Sequence, residues 1–441
     1  MLRLALLSLA ITAAAASAAS ASSPQPTAMA PASGAIPQSR TTGNAAAFIP
    51  SRAARPTGRH CNLSAKQPSK SDADCARQWF DSNLRLNDLL VVGSHNSYKA
   101  RIPDNELAII STVSARIARN LDYGHASLAA ELDAGARQLE LDVYYDPQGG
   151  RYLTPMVVRR AKADLGDAWK ATMAQPGFKT FHMADVDVRS TCLTFRACLA
   201  EIRAWSNAHP RHVPITILIN AKDSSSVPGG VQPLKFDTAA YDALDGEVRS
   251  ELGDRLITPD TVQGAYPTLR DAVLANNWPT LGEARGRILF TLEEPPHKVA
   301  VYRGGRKSLE GRVMFINSPD ENSPAAAYFS YGDPLWDAGR IRRRVEKGFI
   351  VRTRADVDTR EARVNDTAPR DTALAGGAQV ISTDYLWPDP RLANGYRVNL
   401  PGASALCNPV RMGKRCAGVA VEAQAPLGEQ PPAPPSVLTM R

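Results

Sequence analysis

The stretch QLELDVYY at residues 138–145 decides the fold that the sequence predicts. Polar and apolar residues alternate along its first six positions, which is typical of a β-strand. Glu140 and Asp142 therefore project from one face of the strand, and three aliphatic side chains project from the other. In a closed sheet the aliphatic face packs against helices, so we expect the two carboxylates to point into the interior.

Short β-rich runs of this kind recur along the chain and are separated by helical patterns. Phe195, Leu199, Ile202 and Trp205 follow a helical spacing and predict an amphipathic helix between two of the runs. Alternation of short strands with helices indicates a parallel sheet, and eight strands indicate that the sheet closes into a (β/α)8 TIM barrel, an α/β fold. An open doubly wound sheet is the alternative, although the glycine-rich dinucleotide fingerprint of one common version is missing. The eight predicted strands are 89–93, 138–145, 179–183, 213–220, 287–292, 313–317, 349–353 and 379–383.

The 441 residues fit one barrel with extensions at both ends. Residues 1–21 have the charged start, apolar stretch and small-residue cleavage sites of a signal peptide, so we expect a secreted protein, extracellular or periplasmic. Residues 22–58 are rich in Ala, Ser and Pro and predict a disordered linker. The barrel is predicted over 59–418, and a disordered Pro-rich tail over 419–441.

The six cysteines suit an oxidising compartment. Sequence does not fix their pairing, but they fall in three close couples, and we favour Cys61–Cys75, Cys192–Cys198 and Cys407–Cys416. Metal binding by these thiols is disfavoured because the chain has no CxxC pair.

The net charge of +8 is spread along the chain, and aromatic residues make up only 6%. We therefore expect no nucleic acid as partner. Attraction to an anionic membrane surface or to a phosphorylated substrate explains the charge, as does a merely basic surface. We expect a monomer.

Chemistry in such barrels takes place at the C-terminal ends of the strands. The polar residues at the ends of the predicted strands are His95, Asn96, Glu140, Asp142, His182, Asn220, Lys222, Glu293, Arg354 and Asp384.

A hard divalent cation is the simple way to satisfy two inward carboxylates, and Ca²⁺ accepts carboxylate and amide oxygens together. The alternative is that Arg137 or Lys222 balances the carboxylates. Imidazole suits proton transfer near neutral pH, so His95 and His182 are the candidate acid and base.

With these residues in place, the sequence resembles the calcium-dependent phosphoinositide-specific phospholipases C, a family of secreted PLC-like phosphodiesterase barrels. The resemblance covers about residues 87–385 and is most specific in its first half. It rests on SHNSY at 94–98, LELD at 139–142, and His182 with DVRSTC at 187–192.

The resemblance implies a phosphatidylinositol-type phosphodiester as substrate. The inositol 2-hydroxyl attacks the phosphorus, diacylglycerol leaves, and a cyclic inositol phosphate forms. By position His95 and His182 are the catalytic pair, with His182 as the acid for the leaving oxygen. Asn96, Glu140 and Asp142 match the Ca²⁺ ligands, and Asn220 stands at the position of a further ligand. Lys222 and Arg354 are candidate phosphate contacts.

One departure concerns Asn220, where the family pattern has a Glu as a further ligand. The loss of one negative charge is expected to weaken metal binding unless Asp223 or Asp185 compensates. The alternatives are another PLC-like phosphodiesterase, of the glycerophosphodiesterase or sphingomyelinase-D type, or a catalytically silent lipid- or glycan-binding barrel. The phosphodiesterase alternatives lack support because no second His closely follows the E-x-D motif.

Overall fold

The computed structural model describes residues 60–432 of the chain. The predicted signal peptide at 1–21 and the predicted linker at 22–58 lie outside the described residues, as do residues 433–441 of the predicted tail.

A ring of eight parallel strands forms the centre of the fold, as the sequence predicted. Each strand of the ring pairs with the next, and the last strand pairs with the first through Val91 and Val380. The ring consists of β1 (Leu89–Ser94), β2 (Gln138–Val143), β3 (Ile215–Ala221), β5 (Ile288–Leu292), β6 (Met314–Ile316), β7 (Tyr328–Tyr331), β8 (Ile350–Arg354) and β9 (Val380–Thr383). The pairing of β6 with β7 is a single bridge, Asn317 with Tyr328, and the short β4 (Leu256–Ile257) pairs with the start of β5.

Of the α-helices in residues 60–432, one precedes the first strand of the ring, and the rest lie in the connections that follow it. They are α1 (Ala73–Asn83), α2 (Asp104–Val113), α3 (Ala115–Leu121), α4 (Leu128–Asp133), α5 (Met156–Arg160), α6 (Gly166–Ala174), α7 (Phe195–Ala208), α8 (Thr238–Leu252), α9 (Pro259–Gln263), α10 (Leu269–Leu274), α11 (Leu281–Ala284), α12 (Pro296–Arg303), α13 (Pro334–Glu346), α14 (Arg360–Val364), α15 (Ala368–Gly376) and α16 (Pro409–Cys416). Helix α7 confirms the predicted amphipathic helix, and its four predicted apolar residues are buried.

One predicted barrel strand is wrong, and one strand of the ring was not predicted. Residues 179–183 make only isolated antiparallel bridges, one of them from Lys179 to Tyr144, so they form part of a long loop after β2. The missing barrel strand is β7, which pairs in parallel with β8 over four residues. Its sequence, YFSY after an alanine run, is too short to give a period-two signal.

The predicted tail boundary at residue 419 falls inside the fold. Residues Ala420–Ala423 form β11, which pairs with β10 (Ala403–Cys407). Strand β10 in turn pairs antiparallel with the start of β1, where Leu89 faces Cys407. The hairpin therefore belongs to the barrel's N-terminal end rather than to a disordered extension.

All three predicted disulfides are present: Cys61–Cys75, Cys192–Cys198 and Cys407–Cys416. Within residues 60–432, no helix combines the length and the apolar character needed to cross a bilayer.

The two faces of β2 are separated as predicted. Leu139 and Leu141 are fully buried in one apolar cluster with Phe195 and Leu199 of α7. On the interior face a polar network crosses the barrel from Gln138 through Ser382 to the guanidinium of Arg352. Burying these polar groups is tolerable because they hydrogen-bond to one another.

Candidate active site

His95 lies directly after β1 and is held by the end of β9. Its amide donates to the carbonyl of Thr383 at 2.9 Å, and its Nδ1 lies 2.7 Å from Oδ1 of Asp384. Nε2 lies 3.4 Å from Nη1 of Arg354 and 3.7 Å from Oε1 of Glu140. The pairing of the first and last barrel strands therefore places this imidazole, although its partner is 289 positions away.

Burial, and then the charge of Arg354, lower the pKa of His95 to about 3, although Asp384 opposes the shift. Burial alone would raise the pKa of Asp384, but its contacts with His95 and Arg354 lower it to about 2. At neutral pH the imidazole is therefore neutral beside an ionised carboxylate. Nδ1–H donates to Asp384, and Nε2 carries the lone pair that Arg354 faces.

Asn96 is buried next to His95 in a left-handed backbone conformation with φ of 53°. Its Nδ2 donates to the hydroxyl of Tyr123 at 2.9 Å, and its Oδ1 accepts from the hydroxyl of Tyr98 at 3.1 Å. The Tyr123 hydroxyl is also 3.3 Å from Nδ1 of His95. The Asn96 amide is thus fixed on both sides, with its oxygen directed towards Tyr98.

Glu140 points into the barrel, as predicted. Its Oε1 accepts from Nδ2 of Asn220 at 2.8 Å, and its Oε2 lies 3.2 Å from Nη2 of Arg352. Burial raises the pKa of Glu140 to about 8, against the opposing charge of Arg352. A further cation at this point would stabilise the ionised carboxylate.

Asp142 is fully buried and stands in register with Asn220 of β3. Nζ of Lys222 lies 2.9 Å from its Oδ2, whereas Arg137 pairs with Glu422 instead. Of the two basic residues proposed to balance the carboxylates, Lys222 therefore lies at the site and Arg137 does not. Burial alone would lower the pKa of Lys222, but Asp142 and Glu140 outweigh it and raise the pKa.

The oxygen donors in this cluster fit a hard cation. Apart from the ion pair between Oδ2 and Lys222, the buried carboxylate of Asp142 has no hydrogen-bond partner in the part of the chain that the structure describes, and Asn96, Glu140 and Asn220 add oxygens of the type that Ca²⁺ prefers. Among residues 60–432 no three His, Cys, Asp or Glu side chains form a metal-binding group, so a metal here depends on the two amides as well.

Neither acidic residue proposed to compensate for Asn220 joins the cluster. Asp223 pairs with Lys298 at 2.8 Å. Asp185 accepts backbone hydrogen bonds from Met156 and Val231. Both carboxylates are committed elsewhere, so the charge lost at Asn220 is not replaced.

Arg354 ends β8 beside His95. Its Nη2 lies 3.3 Å from Oδ2 of Asp384, and its side chain is largely buried. Burial alone would lower its pKa, but Asp384 and Asp356 raise it, so the guanidinium remains charged. A fixed cation next to an imidazole is suited to an anionic phosphate.

His182 lies in the long loop after β2 rather than on a barrel strand. Its Nδ1 is 2.9 Å from Oδ2 of Asp187, which also lies 3.4 Å from the buried Nζ of Lys99. The segment carrying Asp187 is tied to the loop after β1, because the amide of Ala100 donates to the carbonyl of Arg189. The two histidines are thus placed at the same end of the barrel by different means.

Four residues that contact the site had no role assigned from the sequence: Asp384, Asp187, Tyr123 and Arg352. Asp384 follows a predicted strand, and Asp187 lies in the DVRSTC segment that resembles the family. The position of each residue in the sequence therefore gave a reason to expect a role at the site. Arg352 had a weaker one, as a basic residue inside an apolar strand. Tyr123 had none, because it lies in an irregular connection between α3 and α4.

Comparison with known proteins gives one family. The family model described as Phosphoinositide phospholipase C, Ca2+-dependent, matches residues 84–409. No curated protein sequence matches the chain.

Nine chains in solved structures are similar to this chain, two of which come from different bacteria and are given below. One is a calcium-dependent phosphoinositol-specific phospholipase C from a Pseudomonas species, with 17% identity and a TM-score of 0.44 over 68% of this chain and 91% of that one. The other is a Ca²⁺-dependent phosphatidylinositol-specific phospholipase C from Streptomyces antibioticus, with 18% identity and a TM-score of 0.45 over 70% of this chain and 96% of that one. Since the family model spans most of the barrel, the chain belongs to the Ca²⁺-dependent phosphoinositide phospholipase C family, a family of phosphodiesterases.

Proposed function

We propose that this protein is a secreted calcium-dependent phospholipase C that cleaves phosphatidylinositol-type phosphodiesters. One observation carries the proposal. Two histidines, each oriented by a carboxylate through Nδ1, stand at the barrel end that also holds the cluster of Glu140, Asp142 and Asn220. Family membership supports the phosphoinositide substrate.

Asn96, Glu140, Asp142 and Asn220 are the proposed Ca²⁺ ligands. When bound, calcium supplies Lewis acidity, which lowers the pKa of the attacking hydroxyl and offsets charge on the phosphoryl oxygens. The carboxylates and amides of the chain determine how tightly the ion is held.

His95 is the proposed general base. Nδ1–H of its imidazole is held by Asp384, which leaves the lone pair of Nε2, facing Arg354, to accept a proton. The inositol 2-hydroxyl loses its proton to Nε2 and forms a bond to phosphorus. The bond from phosphorus to the glycerol oxygen breaks, and the cyclic phosphodiester remains.

His182 is the proposed acid. With Nδ1 held by Asp187, its Nε2 donates a proton to the glycerol oxygen, so diacylglycerol leaves as a neutral alcohol. Lys222 and Arg354 are the proposed phosphate contacts, because both bear cations beside the catalytic groups. Hydrolysis of the cyclic product reverses the two histidine roles, with water as the nucleophile.

Export agrees with the three disulfides, which are typical of oxidising compartments. It also agrees with the signal peptide predicted at residues 1–21. A monomer in peripheral contact with an anionic membrane surface is the proposed working form.

The deciding experiment incubates the purified protein with a panel of phosphoinositides, with calcium and with excess chelator, and identifies products by ³¹P NMR and lipid analysis. We expect diacylglycerol and a cyclic inositol phosphate, in the calcium arm only. Phosphatidate would indicate phospholipase D chemistry instead, and no product from any phosphoinositide would refute the proposal.

A further inference from the structure

A buried lysine lies close to the proposed acid, and the mechanism above gives it no role. Lys99 is in the loop after β1 and has no exposed surface. Its Nζ lies 3.4 Å from Oδ2 of Asp187, the same oxygen that lies 2.9 Å from Nδ1 of His182. The ammonium, the carboxylate and the imidazole therefore form a chain of contacts that ends at the proposed acid.

The other contacts of Lys99 favour its charged form. Nζ donates to the carbonyl of Tyr123 at 2.7 Å and to the carbonyl of Leu121 at 3.0 Å, in addition to facing Asp187. An ammonium has three N–H donors, whereas a neutral amine has only two. Three acceptors around one buried nitrogen therefore match the ammonium.

Asp187 depends on this cation because its side chain also has no exposed surface. Burying an ionised carboxylate is costly unless a cation compensates it. An ionised Asp187 accepts from Nδ1–H of His182, which leaves Nε2 as the edge of the ring that reaches the leaving oxygen. Lys99 thus stabilises the charge on which the orientation of His182 depends.

The backbone of Lys99 joins segments around the site independently of its side chain. Its amide donates to the carbonyl of Asn96, and its carbonyl accepts from the amide of His125, both at 2.8 Å. Lys99 also forms a β-bridge with Ser190, in the loop that carries Asp187. A substitution of the side chain leaves these backbone bonds in place.

We propose that Lys99 is a positioning residue for the acid step: its ammonium holds Asp187 ionised and in place, and Asp187 in turn directs His182 towards the leaving oxygen. The inference rests on the proposed function and adds a residue to its protonation step. Because Lys99 has no exposed surface, it acts through Asp187 and does not touch the substrate. Its loss is therefore expected to lower kcat and to leave KM unchanged.

The leaving group of the substrate separates a positioning role from a structural one. Cleavage of phosphatidylinositol expels an alkoxide, which needs the proton from His182. The p-nitrophenyl ester of inositol 1-phosphate expels a stable phenolate, which leaves without a proton. Both substrates still need His95 for attack by the 2-hydroxyl. Loss of a residue that serves the acid alone therefore affects phosphatidylinositol, whereas damage to the fold affects both substrates.

The test measures kcat and KM on both substrates, with Ca²⁺ present, for the full-length wild type, K99M and H182A. K99M keeps most of the side-chain length and removes the charge. K179M is the matched control, because Lys179 is equally buried in the loop after β2 and its Nζ donates to the carbonyl of Gln175 instead. Thermal unfolding is recorded for each variant. K99Q, whose neutral amide still donates to a carbonyl, takes the place of K99M if that variant does not fold.

We expect K99M to lower kcat on phosphatidylinositol by about 10- to 100-fold and kcat on the aryl ester by less than about twofold. H182A should show the same pattern with a larger loss, and K179M should keep the wild-type ratio of the two kcat values. A wild-type ratio in the Lys99 variant would overturn the positioning role, while the proposed function stands. If the wild type cleaves neither substrate, the proposed function fails and the role of Lys99 fails with it.

Discussion

The ammonium nitrogen of Lys222 lies 2.9 Å from Oδ2 of Asp142, a carboxylate with no exposed side-chain surface. Lys222 itself is 31% exposed, so it can leave this position without opening the core. A cation bound at Asp142 and the ammonium therefore compete for the same oxygen. With a cation held at Asp142, Lys222 would be available for the phosphate contact proposed above.

Replacing Lys222 with Met should tighten calcium binding several-fold, because the competing charge is removed while the chain length is kept. Turnover on phosphatidylinositol should fall, because a phosphate contact is lost. Isothermal titration calorimetry with Ca²⁺ measures the change in calcium affinity without an activity assay. Lys235→Met at an exposed position is the control, and weaker calcium binding by K222M would contradict the competition.

Replacing Asn220 with Glu should also tighten calcium binding, because it adds a negative charge to the cluster. Asp142→Asn removes a charge and should raise the calcium concentration needed for half-maximal activity. Calorimetric titration with Ca²⁺, and activity measured as a function of Ca²⁺ concentration, rank the wild type and the two variants by calcium affinity. An N220E variant that binds calcium no better than the wild type would place residue 220 outside the metal site.

Removal of calcium should suppress turnover, and added Ca²⁺ should restore it. The reason is that the cations of Lys222 and Arg352 are already engaged by Asp142 and Glu140. Activity is followed in excess chelator, with metal content measured on the same sample. Full activity with no retained metal would show that Lys222 or Arg354 supplies the positive charge alone.

Alanine at His95 or at His182 should lower turnover by at least about 10²-fold, the usual contribution of a general acid or base. The fold should persist, because its stability depends mainly on the barrel core. Circular dichroism and thermal unfolding check this. His297→Ala, at an exposed position on α12, is the control. Near-normal turnover in either active-site variant would refute the pairing.

Acid should destabilise the protein through His212, which lies far from the site in the core near α7. Burial lowers the pKa of His212 to about 4. Its ring nitrogens bond the hydroxyl of Ser206 and the carbonyl of Val213. Because the unfolded imidazole titrates near 6.5, the unfolded state binds more protons between pH 6.5 and 4, and stability falls as the pH falls through that window.

The measurement compares denaturant unfolding of the wild type and H212Q at pH 7.5 and pH 4.5. The wild type should lose more stability than the variant, by up to about 3 kcal/mol. Identical losses would show that His212 is not the titrating group.

Local pattern in the sequence determined much of the barrel. Alternation at Glu140 and Asp142 placed both carboxylates on the inner face, and the spacing of Phe195 and Leu199 placed α7 outside, because side-chain direction in a strand or helix depends only on neighbouring residues. The close cysteine couples likewise indicated the disulfides, since short separations bring sulfurs together with little else required.

Closure of the sheet decided the rest. Tyr328–Tyr331 forms the strand that was not predicted, because it fills the gap in the ring between β6 and β8. Four residues are too few to show a period-two pattern of their own. The same closure brings Asp384 into contact with His95, 289 positions away in the sequence. It also places the ammonium of Lys222 beside the carboxylate of Asp142. Such contacts depend on strand register around the whole ring, and no local pattern contains that information.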